Sequence, residues 1–367
     1  MKTPFSLIAL AVALAGCAGQ PAPHSASTGG ASRSPGPAAS ATPSRRSLIA
    51  VSAEAGAGRT ALGLVTLNGT AVGHVTLQSS DYPWPSVGGG MLTFVDHGQL
   101  KGLKPSGSVE TLGQLAGYSP GPAVVSPDGQ HWMWGTFSSG SDGTVTSKLM
   151  LGSRGSADRV IDQEISQQRH LEPFRWTSAG PTYVAAPVGV GGYILFDIGG
   201  TPSWRFDPDT GKVTPLLAGT TCKLGDLAQD GTIACLGMNS TLDVLRPAGG
   251  VVEVALPKPA FTQRGAVSFA PGSVATTVVV GGATSAGPPS EHYETDLLDI
   301  GSRTLRQFGP AGLRPVDGPW SWLPDGSLLA YRPAGAFGGD PGIYVVAPDG
   351  SAKKVLSAGT ALGVITG

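Results

Sequence analysis

From Ser47 to the C terminus the apolar positions come in short runs, some alternating with polar residues and some continuous, and nearly every run ends at a Gly-containing turn. Runs of about four to eight residues bounded by Gly, Pro, Asn and Asp predict strands, and their turns predict hairpins. The runs group into units of four strands, labelled a to d by position. In the third unit GPAVVSPDG leads into QHWMWGTFS, then TSKLMLGSRG and SADRVIDQEI. KLGDLAQDG, TIACLGM, STLDVLRPAGG and VVEVALP repeat the order in the fifth unit, and VDGPWSWLPDG, SLLAYRPAG, GIYVVAPDG and SAKKVLSAG in the seventh. The second unit (82–115), the fourth (171–219) and the sixth (265–309) follow the pattern more loosely. The expected c-to-d turns fall near Gly69, Gly107, Gly155, Gly211, Gly249, Gly301 and Gly350. That spacing, about 40 to 55 residues, brackets the period of propeller blades.

The first unit supplies only three strands, around residues 48–52, 61–67 and 71–77. Its missing innermost strand is available at the chain's far end, where ALGVITG follows the seventh unit. Pairing that strand into the first unit closes a ring and removes the open edges that would otherwise need protection. The expected fold is therefore all-β, a seven-bladed β-propeller closed by its C-terminal strand; six or eight blades would also fit the looser units.

Composition agrees with this pattern. The chain has 56 Gly and 31 Pro, and no long Ala/Leu/Glu/Lys helical stretch. A formal net charge of −1 with 13% charged residues gives no electrostatic case for nucleic acid or an anionic surface as partner.

The N-terminal segment differs in kind. MKTPFSLIALAVALAGC places Lys2 before an apolar run from Phe5 to Leu14 and ends in small residues at Cys17. That is the order of a secretory signal, and the run is too short to span a bilayer. Leu14-Ala15-Gly16-Cys17 resembles a bacterial lipobox, which implies cleavage before Cys17 and acylation of its thiol and new amino group; an ordinary signal with an incidental cysteine is the alternative. Residues 18–46 are rich in Ser, Ala, Pro and Gly, bury too little to offset ordering entropy, and read as a flexible tether. The expected organisation is a signal peptide (1–16), a lipidated Cys17 with its tether (17–46), and a propeller (47–367). It implies a lipid-anchored protein on the extracytoplasmic side of a cell membrane.

The a-to-b segments WLPDGSLLAYRP and VVSPDGQHWMWG resemble the WD-like repeats of TolB-type β-propellers, and the pattern covers most of residues 48–367. The resemblance implies an extracytoplasmic propeller used for protein contact. TolB-type proteins also carry an N-terminal domain, where this chain has a tether.

Candidate chemistry is sparse. Asp128, Asp230, Asp325 and Asp349 each precede a Gly at a strand-to-strand turn, where Asp bonds backbone donors and Gly takes positive φ. Three of them belong to different blades, so the expected role is turning the chain rather than converging on a substrate. Aligned on these turns, Val125, Trp176, Leu227, Phe269 and Trp322 share one column, which reads as packing between blades; Trp132 and Trp134 read as core. Trp320 lies closer to a loop and stays open. Cys222 and Cys235 suit a disulfide in an oxidising compartment, but a two-residue Asp230-Gly231 hairpin would leave them about 13 Å apart, so pairing is undecided here. Six scattered His give no ligand spacing, and neither a metal nor a cofactor is implied. No nucleophile elbow, paired-His motif or phosphate loop occurs; SGSDGTVT (139–146) is a lone Asp-box-like segment.

The a-to-b and c-to-d turns are short, whereas the d-to-a and b-to-c connections on the opposite face read as long. These connections carry Asp81, Tyr82, Trp84, Arg169, His170, Glu172, His292, Arg314, Asp317 and Phe337. Binding usually resides on such loops. The expectation is a monomeric, non-catalytic binding or scaffold module for a protein or glycan. The alternative is a hydrolase or lyase with a site at the central channel mouth, which would need acids, His or Arg converging from three or more blades.

Overall fold

A computed structural model of the chain describes residues 47–366 except 57, 79–82, 179, 188–200, 219, 221, 238–240, 257–262, 284–292, 317 and 334–338. The described residues form seven four-stranded antiparallel sheets, the seven blades of a β-propeller. Every blade runs a to d from the central channel outward. In blades 2 to 7 the a strands are Ser86–Gly88, Ala123–Val125, Arg169–Thr177, Lys223–Leu227, Gln263–Phe269 and Arg314–Pro315.

Blade 1 takes its a strand from the other end of the chain. Thr360–Thr366 pairs with Ser47–Glu54, with Leu48 opposite Ile365 and Ile49 opposite Val364. The closing strand buries Ala361, Val364 and Ile365, and these residues enter the cores on both sides of blade 1.

Seven apolar clusters lie between neighbouring blades around the ring. The predicted packing column falls into five of them: Val125 between blades 2 and 3, Trp176 between 3 and 4, Leu227 between 4 and 5, Phe269 between 5 and 6, Trp322 between 6 and 7. Trp132 and Trp134 are buried in the blade 2–3 cluster. Period-two alternation produces this arrangement, because each strand of a twisted sheet presents one set of side chains to the blade before it and the other to the blade after.

The Asp-Gly turns make one repeated contact. The backbone N–H of Gln130 donates to Asp128 Oδ1 at 3.0 Å, and those of Thr232, Ser327 and Ser351 donate to Asp230, Asp325 and Asp349 at 2.9 Å. In each turn the following Gly has φ between 69° and 86°, a region costly to residues with a Cβ.

Two of the long connections are shorter than expected. The outer strand of blade 3 runs Ser156–Ser166 and the a strand of blade 4 begins at Arg169, so Arg169, His170 and Glu172 are strand residues paired with Pro187, Ala186 and Val184. Arg314 is likewise in the a strand of blade 7, opposite Tyr331. Sheet pairing overrode the loop reading in both places, because these polar residues alternate with Leu171, Pro173, Leu313 and Pro315, which supply the buried side. The Asp-box-like segment is a hairpin turn in which Asp142 accepts the Thr144 N–H and hydroxyl.

Candidate functional site

Two concavities among the described residues open on the short-turn face, opposite the face the sequence pointed to. The first is the mouth of the central channel, a cavity of about 540 Å³ to which every blade contributes: Gly88, Pro127, Trp176, Leu227, Phe269, Trp320 and Ile365. Trp320 thus sits inside the channel, just after Gly318 (φ 83°) and within a 3₁₀ turn, Pro319–Ser321, that interrupts the inner edge of blade 7.

Asp226 lines this cavity and meets a second charged side chain, Arg175, behind it. Arg175 of blade 4 donates from Nη1 to Asp226 Oδ1 of blade 5 at 2.5 Å, and both residues are buried, 7% and 1% exposed. Asp226 Oδ1 also accepts from the Leu227 N–H at 2.8 Å, and Oδ2 from the Phe269 N–H of blade 6 at 2.7 Å. The guanidinium lies over the Phe174 ring and packs against Gly318 of blade 7, where a Cβ would come within 2.8 Å of Nε. One ion pair therefore ties together four consecutive blades. Burial pushes the Asp226 carboxyl upward, opposed by Arg175 and the two N–H donors. A buried pair is weak evidence for net stability, but removal of either partner strands the other charge in the wall.

The second concavity is a groove of about 920 Å³ between blades 3 and 4, continuous with the channel mouth through Pro127, Trp176, Thr177 and Ser178. Arg159 on the outer strand of blade 3, Arg205 on strand c of blade 4 and Lys212 in the c-to-d turn of blade 4 line it. Arg159 bridges the blades, donating to the Pro208 carbonyl at 3.2 Å and lying 5.5 Å from the Phe206 ring centroid. The Arg205 and Lys212 side chains make no hydrogen bond or close ion pair among the described residues, although the Arg205 charge helps to lower the Asp207 carboxyl. Asp128 and Asp207 also line the groove, and Oδ1 of each is committed to its own turn. The Ser126 hydroxyl and the Gln130 N–H hold the Asp128 carboxyl below its usual value, and Thr210 and Asp209 do the same for Asp207.

The residues singled out in the sequence disperse. Cys17, Asp81, Tyr82, His292, Asp317 and Phe337 lie outside the described residues, as do the signal-like segment and tether. Trp84 is half-buried at φ 44° just before blade 2. On the long-connection face Arg169 lies 3.8 Å from Glu164, and His170 is hydrogen-bonded to Glu172 at 2.6 Å with the Phe137 ring beside it. Arg314 instead packs between Tyr293 and Tyr331, across blades 6 and 7. The described members of the set thus form a small cluster on blade 4 and isolated positions elsewhere.

Cys222 and Cys235 are bonded, with Cα atoms 5.6 Å apart. Two register changes bring them close: the turn pairs Leu227 with Ile233, and a bulge between Leu224 and Asp226 places Leu224, rather than Asp226, opposite Cys235. Cys222 is then two residues from its partner's level instead of four.

Sequence reasoning missed Arg175, Asp226, Arg159, Arg205 and Lys212. For the buried pair a signal existed: Asp226 interrupts the apolar run of KLGDLAQDG, and Arg175 sits between Phe174 and Trp176. A charge inside a run destined for the innermost strand needs a partner.

A closed seven-bladed propeller with a central channel defines the class of protein. No family model matches the chain, and no curated protein does. Solved structures do match. A putative 6-phosphogluconolactonase from Bacteroides fragilis is 13% identical with a TM-score of 0.51, covering 89% of this chain and 99% of that one. Oligogalacturonate lyase from Vibrio parahaemolyticus is 12% identical with a TM-score of 0.50, covering 83% and 87%. A puromycin hydrolase is 15% identical with a TM-score of 0.55, covering 86% of this chain and about half, 53%, of the hydrolase. At these identities the likeness is one of fold alone.

Proposed function

We propose that this protein is a lipid-anchored, extracytoplasmic propeller acting as a non-catalytic recognition module for a protein or glycan. The observation that carries the reading is the state of the channel. The charges that meet there from different blades, Arg175 and Asp226, are consumed by each other and by backbone donors in a buried staple. A hydrolase or lyase needs a group left free to move a proton or attack a substrate. The open surface is instead a broad groove lined by cations and turn carboxylates, which suits binding.

The lipobox-like LAGC and the tether supply the address. Acylation of Cys17 would hold the propeller near a membrane surface and raise its effective concentration toward a partner there. The TolB-type resemblance of the Pro-Asp-Gly segments supports use as a contact surface. Fractionation tests the anchor: the wild type is expected in the membrane fraction and Cys17→Ser in the soluble one. A pull-down from envelope extract with residues 47–367 tests recognition; a binding reading fails if the same protein turns over envelope glycans or peptides and an Asp226→Asn variant does not.

A further inference from the structure

The groove between blades 3 and 4 is lined by both hydrogen-bond acceptors and cations. The Arg205 and Lys212 side chains line it with no hydrogen bond or close ion pair among the described residues, Asp207 feeling the Arg205 charge only at longer range, and Arg159 bridges the two blades beside them. Such charges on a rigid wall are poised for carboxylates or phosphates on a ligand. The remaining lining is rich in acceptors and hydroxyls, from the turn carboxylates Asp128 and Asp207 to Ser153 and Thr214. These suit a ligand that also donates many hydrogen bonds. At the inner end the His131 ring lies 6.1 Å from the ring of Trp176, which is itself mostly buried between the blades. At about 920 Å³ the groove lies at the upper end of ordinary ligand clefts, about 300–1,000 Å³.

We infer that this groove binds an acidic oligosaccharide, a chain of hydroxyl-rich rings with carboxylates spaced along it. The ring hydroxyls would meet the turn carboxylates and serines, and the carboxylates would meet Arg205 and Lys212. An isolated phosphate needs no groove of this size. An extended acidic peptide, which would add to the outer strand of blade 3 or blade 4 where these border the groove, is the competing occupant that the titration sets against it. The chain's own residues 18–46 contain no Asp or Glu and cannot supply the anion. The inference rests on the reading of the propeller as a recognition module and adds the ligand class.

The test is calorimetric titration of residues 47–367 with an alginate-derived tetrauronate, with maltotetraose, an octa-glutamate peptide and inorganic phosphate as comparison probes. Tetrauronate is expected to bind, at least tenfold more weakly to Arg205→Ala and to Lys212→Ala, and to weaken as salt rises. Each variant should keep the wild-type melting temperature, which separates lost binding from lost folding. Tetrauronate affinity unchanged in both variants, or absent from the wild type, overturns the proposal, as does octa-glutamate or phosphate binding more tightly. Chain length is followed in the same samples: binding without cleavage supports both ligand class and module reading, whereas cleavage that is lost in Arg205→Ala retains the ligand class and rejects the module.

Discussion

The rim of this ring and the wall of its channel use the same residue type in opposite ways. At the rim Asp128, Asp325 and Asp349 stand at exposed or nearly exposed turns, each receiving an N–H from two residues ahead in its own hairpin. In the wall Asp226 is buried and receives donors from blades 4 and 6 as well as from its neighbour Leu227. Turn donors pull Asp128 and Asp349 below the ordinary carboxylate value, whereas burial pushes Asp226 above it. A rim aspartate organises four residues. The wall aspartate holds blades together, so damage to the two regions should differ in scale.

The largest effect should come from opening the wall. Deleting residues 360–367 removes the strand that pairs with Ser47–Glu54 and uncovers two inter-blade cores; loss of cooperative unfolding is expected by calorimetry. A truncated protein melting at the wild-type temperature would refute closure by that strand. Next comes Asp226→Ala, which removes the buried carboxylate from the Arg175 guanidinium together with its two backbone contacts and should destabilise by about 3–5 kcal/mol in denaturant titration. The paired change Arg175→Met with Asp226→Leu should recover much of that loss, because apolar replacement of a buried pair is often tolerated.

Gly318→Ala probes the same wall more gently. Its Cβ would sit at positive φ and within 3.0 Å of the Arg175 guanidinium carbon and nitrogens, so a loss of about 1–3 kcal/mol is expected. If stability is unchanged, the guanidinium is not clamped against blade 7. A rim substitution such as Asp325→Ala should cost about 1 kcal/mol, the net worth of a single turn hydrogen bond. A rim loss as large as that of Asp226→Ala would erase the distinction.

The smallest effect is the pH dependence contributed by the rim carboxylates. Asp128 and Asp349 have folded pKa values below their unfolded ones, so their contribution is complete above about pH 4 and is lost as pH falls through the folded values. Melting temperature should fall more steeply on acidification below about pH 4 in the wild type than in Asp128→Asn or Asp349→Asn. Parallel profiles in all three proteins would deny the turn carboxylates that role.

The same division explains what could be read from the chain. Hairpins, blade number and the closing strand were legible because each depends on residues close in sequence, or on counting them. The Asp-Gly turns and the packing column from Val125 to Trp322 are local patterns repeated once per blade, and repetition makes a weak signal readable. Arg169, His170 and Glu172 were misplaced because polar residues at the start of an inner strand look like a loop until the partner strand is known. The Cys222–Cys235 bond was undecidable for a related reason: a single bulge at Gly225 shifts every later pairing, and its position depends on packing against Val267 of blade 6, whose side chain lies where a Gly225 Cβ would be.

Sequence alone therefore determined the propeller architecture, the way the ring closes and the use of aspartate at its turns, and favoured seven blades over six or eight, since short-range propensity and period are properties of the chain. Only the tertiary structure decided where charge is buried and where it remains available. Arg175 and Asp226 are 51 residues apart, and Arg159, Arg205 and Lys212 come from two blades; nothing local marks them as neighbours. Their meeting depends on the closure of a ring that brings distant strands to one axis, so the channel staple and the groove beside it became visible only in the folded protein.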